Sequence, residues 1–372
     1  MRAALVHKPH EKPVLADVAV EGPRFGEVLV KIAASGICGS DLHVIRGRSN
    51  AARNMPLILG HEGAGVVEEV GPGVTDLKRG DHVVIAMFGP CGHCDYCESG
   101  RLQHCNGAER RSAFGEMADG STRLSLGGRP VYPFVGVGSL ADYAVVRRAM
   151  VVKVPEALPL GQLCVTACAV TTGLGAVFNV AQVTPGSSVA VIGCGGVGLN
   201  IVQGAKIAGA SRIIGIDKNR KKLDLASNFG ATHLVEPADD PAATLSAVKA
   251  IAPRGVDFAF EVVGSAALVK QAMSFTGAGG TTVMVGSVPW GDDVAVNAGL
   301  LFGERKLVGC LGGGNIPGRE IPRIVDLYQE GRLMLDQLVG QTYAFDCIDD
   351  AIANAERADD ARTVVIIDPS LV

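Results

Sequence analysis

The sequence has no long apolar run. No stretch reaches the roughly 18 uninterrupted apolar residues that a membrane helix needs, and the opening MRAALVHKPHEK breaks its short apolar run at His7, Lys8 and Pro9. No signal-peptide core forms there, so the expectation is a cytoplasmic chain without a membrane partner. Strong charge of either sign is also missing: 34 Lys and Arg stand against 38 Asp and Glu, a formal charge of -4. That balance offers no broad positive field to nucleic acid or to an anionic lipid surface. There is no internal repeat, low-complexity tract or Pro- and Ser-rich linker. Proline is scarce beside glycine, 18 against 49, which indicates tight turns in a globular chain rather than disorder or a collagen-like helix.

What is present divides in two. At 372 residues the chain suits two domains, each able to bury its own core. Up to about residue 150, short apolar runs at 28–32, 65–70, 82–86 and 143–146 alternate with Gly and Pro, the pattern of a β-rich region with loops. From about residue 170 the pattern becomes strand, helix, strand. Buried-strand runs at 188–192, 212–216, 256–262, 281–285 and 306–311 enclose helical stretches at 197–208, 221–229 and 266–275, which predicts an α/β domain with a doubly wound parallel sheet. A glycine hinge at 312–314, a helical stretch at 321–330 and an extended run at 363–367 follow, the last expected to return to the first domain. A cleft between two such domains is where cofactor and substrate would meet.

The run SVAVI at 188–192 leads directly into Gly193-Cys194-Gly195-Gly196-Val197-Gly198 and then an apolar helix. Glycines at 193, 195 and 198 permit a tight turn, close approach of a pyrophosphate and close helix packing, with the helix N-terminus facing the phosphates. The next strand ends at Asp217, 24 positions after Gly193, where a carboxylate binds the hydroxyls of an adenosine ribose and repels a 2'-phosphate. This favours NAD over NADP. Lys222 could lie along the same ribose, with a solvated helix face as its ordinary alternative. Lys218 and Arg220 leave the choice of cofactor less one-sided.

Cysteine clustering carries more than cysteine number. Cys91, Cys94, Cys97 and Cys105 follow C-x2-C-x2-C-x7-C spacing, four thiols in one short loop. Four thiolates close a tetrahedral zinc and leave no position for substrate, so this zinc would be structural. The spacing alone leaves an iron–sulfur cluster open. His93 and His104 sit among the thiols as expected loop residues. Cys38, His61 and Cys168 form a dispersed set with the composition of a catalytic zinc site, two thiolates and an imidazole with an open fourth position. Their spacing alone leaves each of them readable as an ordinary core residue.

The residues 27–36, the stretch G-I-C-G-S-D-L-H at 36–43, G-H-E-G-A-G at 60–65, the four-cysteine loop, the segment around Cys168, V-I-G-C-G-G-V-G and the closing Arg362-Thr-Val-Val occur in one order. In that order the chain resembles the zinc-containing medium-chain alcohol dehydrogenases over essentially its whole length. The resemblance implies a GroES-like β-rich catalytic domain from 1–169 and 312–372, with a Rossmann NAD-binding domain at 170–311 inserted. It makes Cys38, His61 and Cys168 ligands of the catalytic zinc, with Cys164 a buried small side chain. It implies that Asp41 orients His61 and that Glu62 tunes the metal. Ser40 and His43 would form a proton relay, with a solvated loop histidine the alternative for His43. Thr172 and Val197 would press on the nicotinamide, Gly196 would join the phosphate turn, and Arg362 would pair with the pyrophosphate.

The implied activity is hydride transfer between a primary or aromatic alcohol and NAD, with two zinc ions per subunit and a homodimeric or homotetrameric assembly. Met87, Phe88, Phe134 and Val135 would line an apolar substrate pocket, core packing being the alternative for each. The segment 106–135, with Arg110 and Arg111, is similar to the insertion of formaldehyde dehydrogenases that act on thiol adducts, so a glutathione- or mycothiol-adduct oxidoreductase is the second reading. A zinc-stabilised NADH sensor or a zinc-free quinone reductase would have lost Cys38, His61 or Cys168. Two departures stand out: Gly39 where many relatives carry Arg or His for the pyrophosphate, and a basic loop between His43 and Pro56.

Overall fold

The structure is a computed structural model that describes all residues except Asn50, Ala51, Trp290, Ala358 and Asp359, and the side chains of residues 108–110. The chain divides into two compact units, one of Met1–Cys168, Ile316–Leu327 and Leu335–Val372, the other of Ala169–Asn315 and Tyr328–Met334. Residues 312–315 and 328–334 cluster with the second unit for local reasons. Gly313 lies so close to the helix Ala169–Gly175 that a Cβ on Gly175 would fall 2.2 Å from its carbonyl oxygen. Met334 N donates to the buried Gln203 Oε1 at 3.0 Å.

The first unit is built on two β-sheets. The strand Glu27–Gly36 is central to one of them, pairing with Glu62–Val70, with Tyr143–Arg147 and with the late strand Val364–Ile366. It is buried along most of its length, which explains a near-continuous apolar run in place of strict alternation. Val364 lies opposite Gly36 and Ile366 opposite Ala34, so the extended run at 363–367 does return to this unit. Val28, Val30, Ile32, Val67, Val83, Ile85, Phe134 and Val365 share its core.

The second unit is a parallel six-stranded sheet in the order His233–Val235, Arg212–Ile216, Ser188–Ile192, Val256–Glu261, Thr276–Met284, Lys306–Gly309. Ser188–Ile192 is buried throughout because strands flank it on both edges and helices cover its faces. Some elements escape the apolar-run reading. The strand His233–Val235 is a three-residue edge strand, and the helix Pro241–Ile251 buries only Thr244 and Val248. That helix announces itself through its cap instead: Asp240 accepts from Ala242 N at 2.9 Å, with Pro241 in the first turn. Pro317–Gln329 starts one turn earlier than the 321–330 pattern, where Glu320 N donates to Ile316 O at 3.0 Å. Among the described residues no single helix is long and apolar enough to cross a membrane.

Candidate metal and dinucleotide sites

In the second unit the chain leaves Ser188–Ile192 through Gly193, whose φ of 97° suits only glycine. A Cβ on Gly198 would fall 1.8 Å from Gly193 O, so the turn closes this tightly only because residue 198 has no side chain. Gly195 caps the helix Gly196–Ile207 and faces open space, with no atom within 4 Å of a Cβ placed there. Phosphate oxygens could approach the helix N-terminus across that opening. Asp217 sits beside the turn, Oδ2 accepting from Cys194 N at 2.9 Å and Oδ1 from Asn219 N at 2.9 Å. Both bonds lock its direction at the end of Arg212–Ile216. Val197 is half-buried in the first turn of the following helix, Thr172 is buried in Ala169–Gly175, and Lys222 is half-buried at the start of Arg220–Phe229.

In the first unit the ligand atoms of Cys91, Cys94, Cys97 and Cys105 lie within 4.8 Å of one another and could hold a metal ion. Backbone N–H groups point at the sulfurs, Cys91 N to Cys105 Sγ at 3.3 Å and His93 N to Cys91 Sγ at 3.5 Å. Backbone N–H groups of Asn106 and Cys97 pull the Cys94 thiol down to about 6, while burial pushes Cys97 up to about 12. His93 is exposed and turns its ring toward Cys91 O, and His104 stacks at a tilt on Tyr96. Neither histidine is in the cluster.

Cys38, His61, Glu62 and Cys168 form a second cluster, wholly buried, with donor atoms again within 4.8 Å of one another. They come from three places: Cys38 caps the helix Gly39–Ile45, His61 precedes and Glu62 opens the strand Glu62–Val70, and Cys168 ends the turn Cys164–Ala167. Asp41 ties two of these together. Its carboxylate accepts from Cys38 N and from Gly60 N, each at 2.9 Å, and lies 3.4 Å from His61 Nδ1. Both ring nitrogens of His61 are buried without a hydrogen-bond partner, Nδ1 facing Asp41 and Nε2 without an ion pair to any carboxylate among the described residues. A buried imidazole nitrogen left bare beside two thiols fits a metal ion better than it fits a packed core.

The electrostatics agree with that donor set. The hydrogen bond from Cys168 holds the Cys38 thiol well below its ordinary range, against burial and with help from Arg362. Burial works to lower His61, yet Asp41 and Cys38 raise it well above its usual value. Burial pushes Glu62 up to about 7, opposed by Arg362. A Cβ on Gly36 would fall 2.1 Å from Glu62 Oε2, so that carboxylate fits only against a glycine. Burial also raises Cys164, whose Sγ donates to Gly161 O at 3.2 Å, outside the cluster.

Arg362, expected on a pyrophosphate, is buried with Nη2 2.6 Å from Glu62 Oε1 and 3.7 Å from Cys38 Sγ, while its Nε has no partner. The Glu62 pair was not visible in the spacing, because the two residues are 300 positions apart. Ser40 Oγ is 3.9 Å from Cys38 Sγ, and His43 lies half-buried one turn along the same helix. Burial lowers His43, as do Arg46 and Arg48, against the opposite pull of Cys38. Phe134 packs edge-on to the His61 ring with centroids 5.3 Å apart, and Val135 beside it has a φ of 47°, strained for a β-branched residue. Met87 and Phe88 follow the strand His82–Ile85, both half-buried. Arg111 is paired with Glu116 at 3.1 Å, and the Arg110 side chain lies outside the described residues.

Comparison with known proteins gives these sites a family. The alcohol dehydrogenase GroES-like domain matches residues 24–156, and the zinc-binding dehydrogenase family matches 196–330. The chain is 37% identical over 366 residues, 98% of its length and 99% of the relative's, to an S-(hydroxymethyl)glutathione dehydrogenase of Escherichia coli. It is 37% identical to an alcohol dehydrogenase class-3 of Zea mays, covering 94% of this chain and 92% of that one. Among solved structures, benzyl alcohol dehydrogenase from Acinetobacter calcoaceticus superposes with a TM-score of 0.92 at 34% identity, covering 99% of each chain.

Proposed function

The chain belongs to the zinc-containing medium-chain alcohol dehydrogenases, a GroES-like domain joined to a nucleotide-binding domain, and from that premise we propose the roles of its individual residues. It is a zinc-dependent oxidoreductase that moves a hydride between an alcohol and a nicotinamide cofactor. The GroES-like domain comprises 1–169 and 312–372 and the nucleotide-binding domain 170–311. Cys38, His61 and Cys168 hold the catalytic zinc with Glu62 beside it, and Cys91, Cys94, Cys97 and Cys105 hold a structural zinc. The observation that carries this assignment is the bare Nε2 of His61, buried against two thiols. When bound, the zinc supplies Lewis acidity toward the substrate oxygen and NAD accepts the hydride.

The protein residues do the rest. Asp41 fixes the direction of the His61 ring, so that Nε2 faces the metal position. Arg362 offsets the charge of Glu62 and holds its carboxylate in place beside the three ligands. Ser40 takes the proton that leaves the alcohol, and His43, kept neutral by burial and its neighbouring arginines, carries it outward. Gly193, Gly195, Gly196 and Gly198 admit the pyrophosphate, Val197 and Thr172 hold the nicotinamide face, and Asp217 with Lys222 takes the adenosine ribose of NAD.

Phe134, Val135, Met87 and Phe88 make the substrate wall apolar, which favours primary and aromatic alcohols, as the benzyl alcohol dehydrogenase likeness supports. A thiol-adduct substrate is the second reading, supported by the relatives that carry that name. The assembly is a homodimer or homotetramer: Lys306–Gly309 is an edge strand, and Leu301, Phe302, Leu307 and Leu311 are exposed around it. We place the chain in the cytoplasm, a reducing compartment where its ten cysteines would stay as thiols or metal ligands. A screen of NAD reduction over primary, secondary and aromatic alcohols, and over formaldehyde with and without thiols, tests the reading. Turnover that persists in full after zinc is stripped would overturn it.

A further inference from the structure

The glycine turn of the parallel sheet has a neighbour that owes its shape to one buried acid. Glu261 ends the strand Val256–Glu261, opposite Ile192 on one side and Met284 on the other, and is fully buried. Its Oε1 accepts from three successive backbone N–H groups, Val263 at 3.0 Å, Gly264 at 2.9 Å and Ser265 at 3.3 Å. Its Oε2 is buried with no hydrogen-bond partner among the described residues. Burial raises the carboxyl against the pull of those three N–H groups. An acid buried at the end of an apolar strand, with one oxygen left unsatisfied, is less favourable than an apolar side chain there, so the reason for it lies in what the other oxygen holds.

It holds the turn 262–265, and that turn lies on the glycine turn. Val262 N donates to Ile192 O at 3.0 Å, immediately before Gly193. A Cβ on Gly193 would fall 2.8 Å from Val263 Cγ2, so the two turns touch. Val263 is nonetheless 54% exposed, an aliphatic side chain standing open at the C-terminal end of the sheet, where a dinucleotide crosses a fold of this kind. On its far side the turn meets residues 285–287, so closely that a Cβ on Gly286 would fall 2.1 Å from Gly264 N. Ser265 caps the helix Ala266–Phe275 without a side-chain hydrogen bond, and the acceptor at that helix start is Glu261. Without its carboxylate, three donors of one short turn lose their acceptor together.

We propose that Glu261 is a positioning residue for the dinucleotide, which through Oε1 holds the turn 262–265 as a fixed wall beside the glycine turn. Being fully buried, it touches neither cofactor nor substrate. The cofactor then meets a preformed surface rather than a loop that must order on binding, which raises affinity without adding a contact. This rests on the reading of the chain as an NAD-linked dehydrogenase.

The test compares zinc-loaded wild type, Glu261→Ala and Glu261→Gln by NADH titration, followed through nicotinamide fluorescence, and by the kinetics of NAD with benzyl alcohol. Glu261→Ala should raise the NADH Kd and the KM for NAD about tenfold, while binding still saturates at about one NADH per chain and kcat at saturating NAD does not fall. Glu261→Gln keeps an acceptor oxygen and should stay within about threefold of the wild type. A role confined to folding would instead lower the number of sites and leave Kd alone. That pattern, or a Gln variant as weak as the Ala variant, would overturn the proposal. Amide exchange in the wild type needs no substitution: the N–H groups of Val263, Gly264 and Ser265 should exchange slowly before cofactor is added, and exchange at the rate of an open loop would overturn it equally. Unchanged NADH binding in Glu261→Ala, with benzyl alcohol still oxidised, would remove Glu261 from the account and leave the dehydrogenase reading standing. A wild type that binds no NADH would overturn that reading, and this one with it.

Discussion

The four-cysteine loop and the cluster of Cys38, His61 and Cys168 use related donors in opposite ways. The loop takes all four sulfurs from residues 91–105, and Cys91 and Cys94 remain half-exposed. Its sulfurs are steadied by backbone N–H groups of the same loop. The second cluster draws on segments up to 130 positions apart, is buried throughout, and depends on residues outside itself: Asp41 on His61, Arg362 on Glu62. A local knot needs only its own spacing. A dispersed site needs the fold first, and it is the one with a donor nitrogen left bare.

If that contrast is right, the dispersed site should fail when its distant supports are removed and the loop should not notice. The largest expected effect is Arg362→Met, which leaves Glu62 buried without its countercharge and should cost about 3 kcal/mol of stability. Denaturant unfolding would read this, and a loss under about 1 kcal/mol would mean that Glu62 tolerates protonation cheaply. Asp41→Asn should weaken zinc at the dispersed site roughly 10- to 100-fold and leave the four-cysteine zinc in place. Competitive chelation followed metal by metal checks it, and parallel loss of both ions would deny the distinction. Cys97→Ser should do the reverse, lowering Tm by roughly 10 °C while kcat below the transition stays within about twofold.

His43→Ala is the smallest effect, about tenfold in kcat/KM. The His43 pKa lies below its ordinary value, so the ring is neutral and able to accept a proton above that pKa, and relay activity falls as pH drops through it. The pH profile of the variant should lose that acidic limb, and an unchanged profile would take His43 out of the relay.

The same contrast explains what could be read in advance. The glycine turn with Asp217, the four thiols of the loop and the main strands of the parallel sheet are local patterns, and the structure has each where the apolar runs and spacings placed it. The dispersed donors became a set only through likeness to a family, since nothing in the spacing of residues 38, 61 and 168 draws them together. Residues that act on other residues were harder still. The resemblance places Arg362 on the pyrophosphate, whereas the structure buries it against Glu62, a partner 300 positions away. The strand His233–Val235 and the helix Ile348–Arg357 were missed for a different reason: one is a short edge, and the other buries only Ile348, Ala351, Ile352 and Asn354 amid charged neighbours.

The dispersed cluster is the one proposed to hold the working metal. Metal content and NAD-linked turnover measured together on the wild type and on Cys168→Ser test it most directly. The wild type should carry close to two zinc ions per chain, and the variant should keep one, retain its fold and lose turnover by about a thousandfold or more. A Cys168→Ser protein that still carries both ions, or that turns over alcohol at the wild-type rate with one, would contradict it.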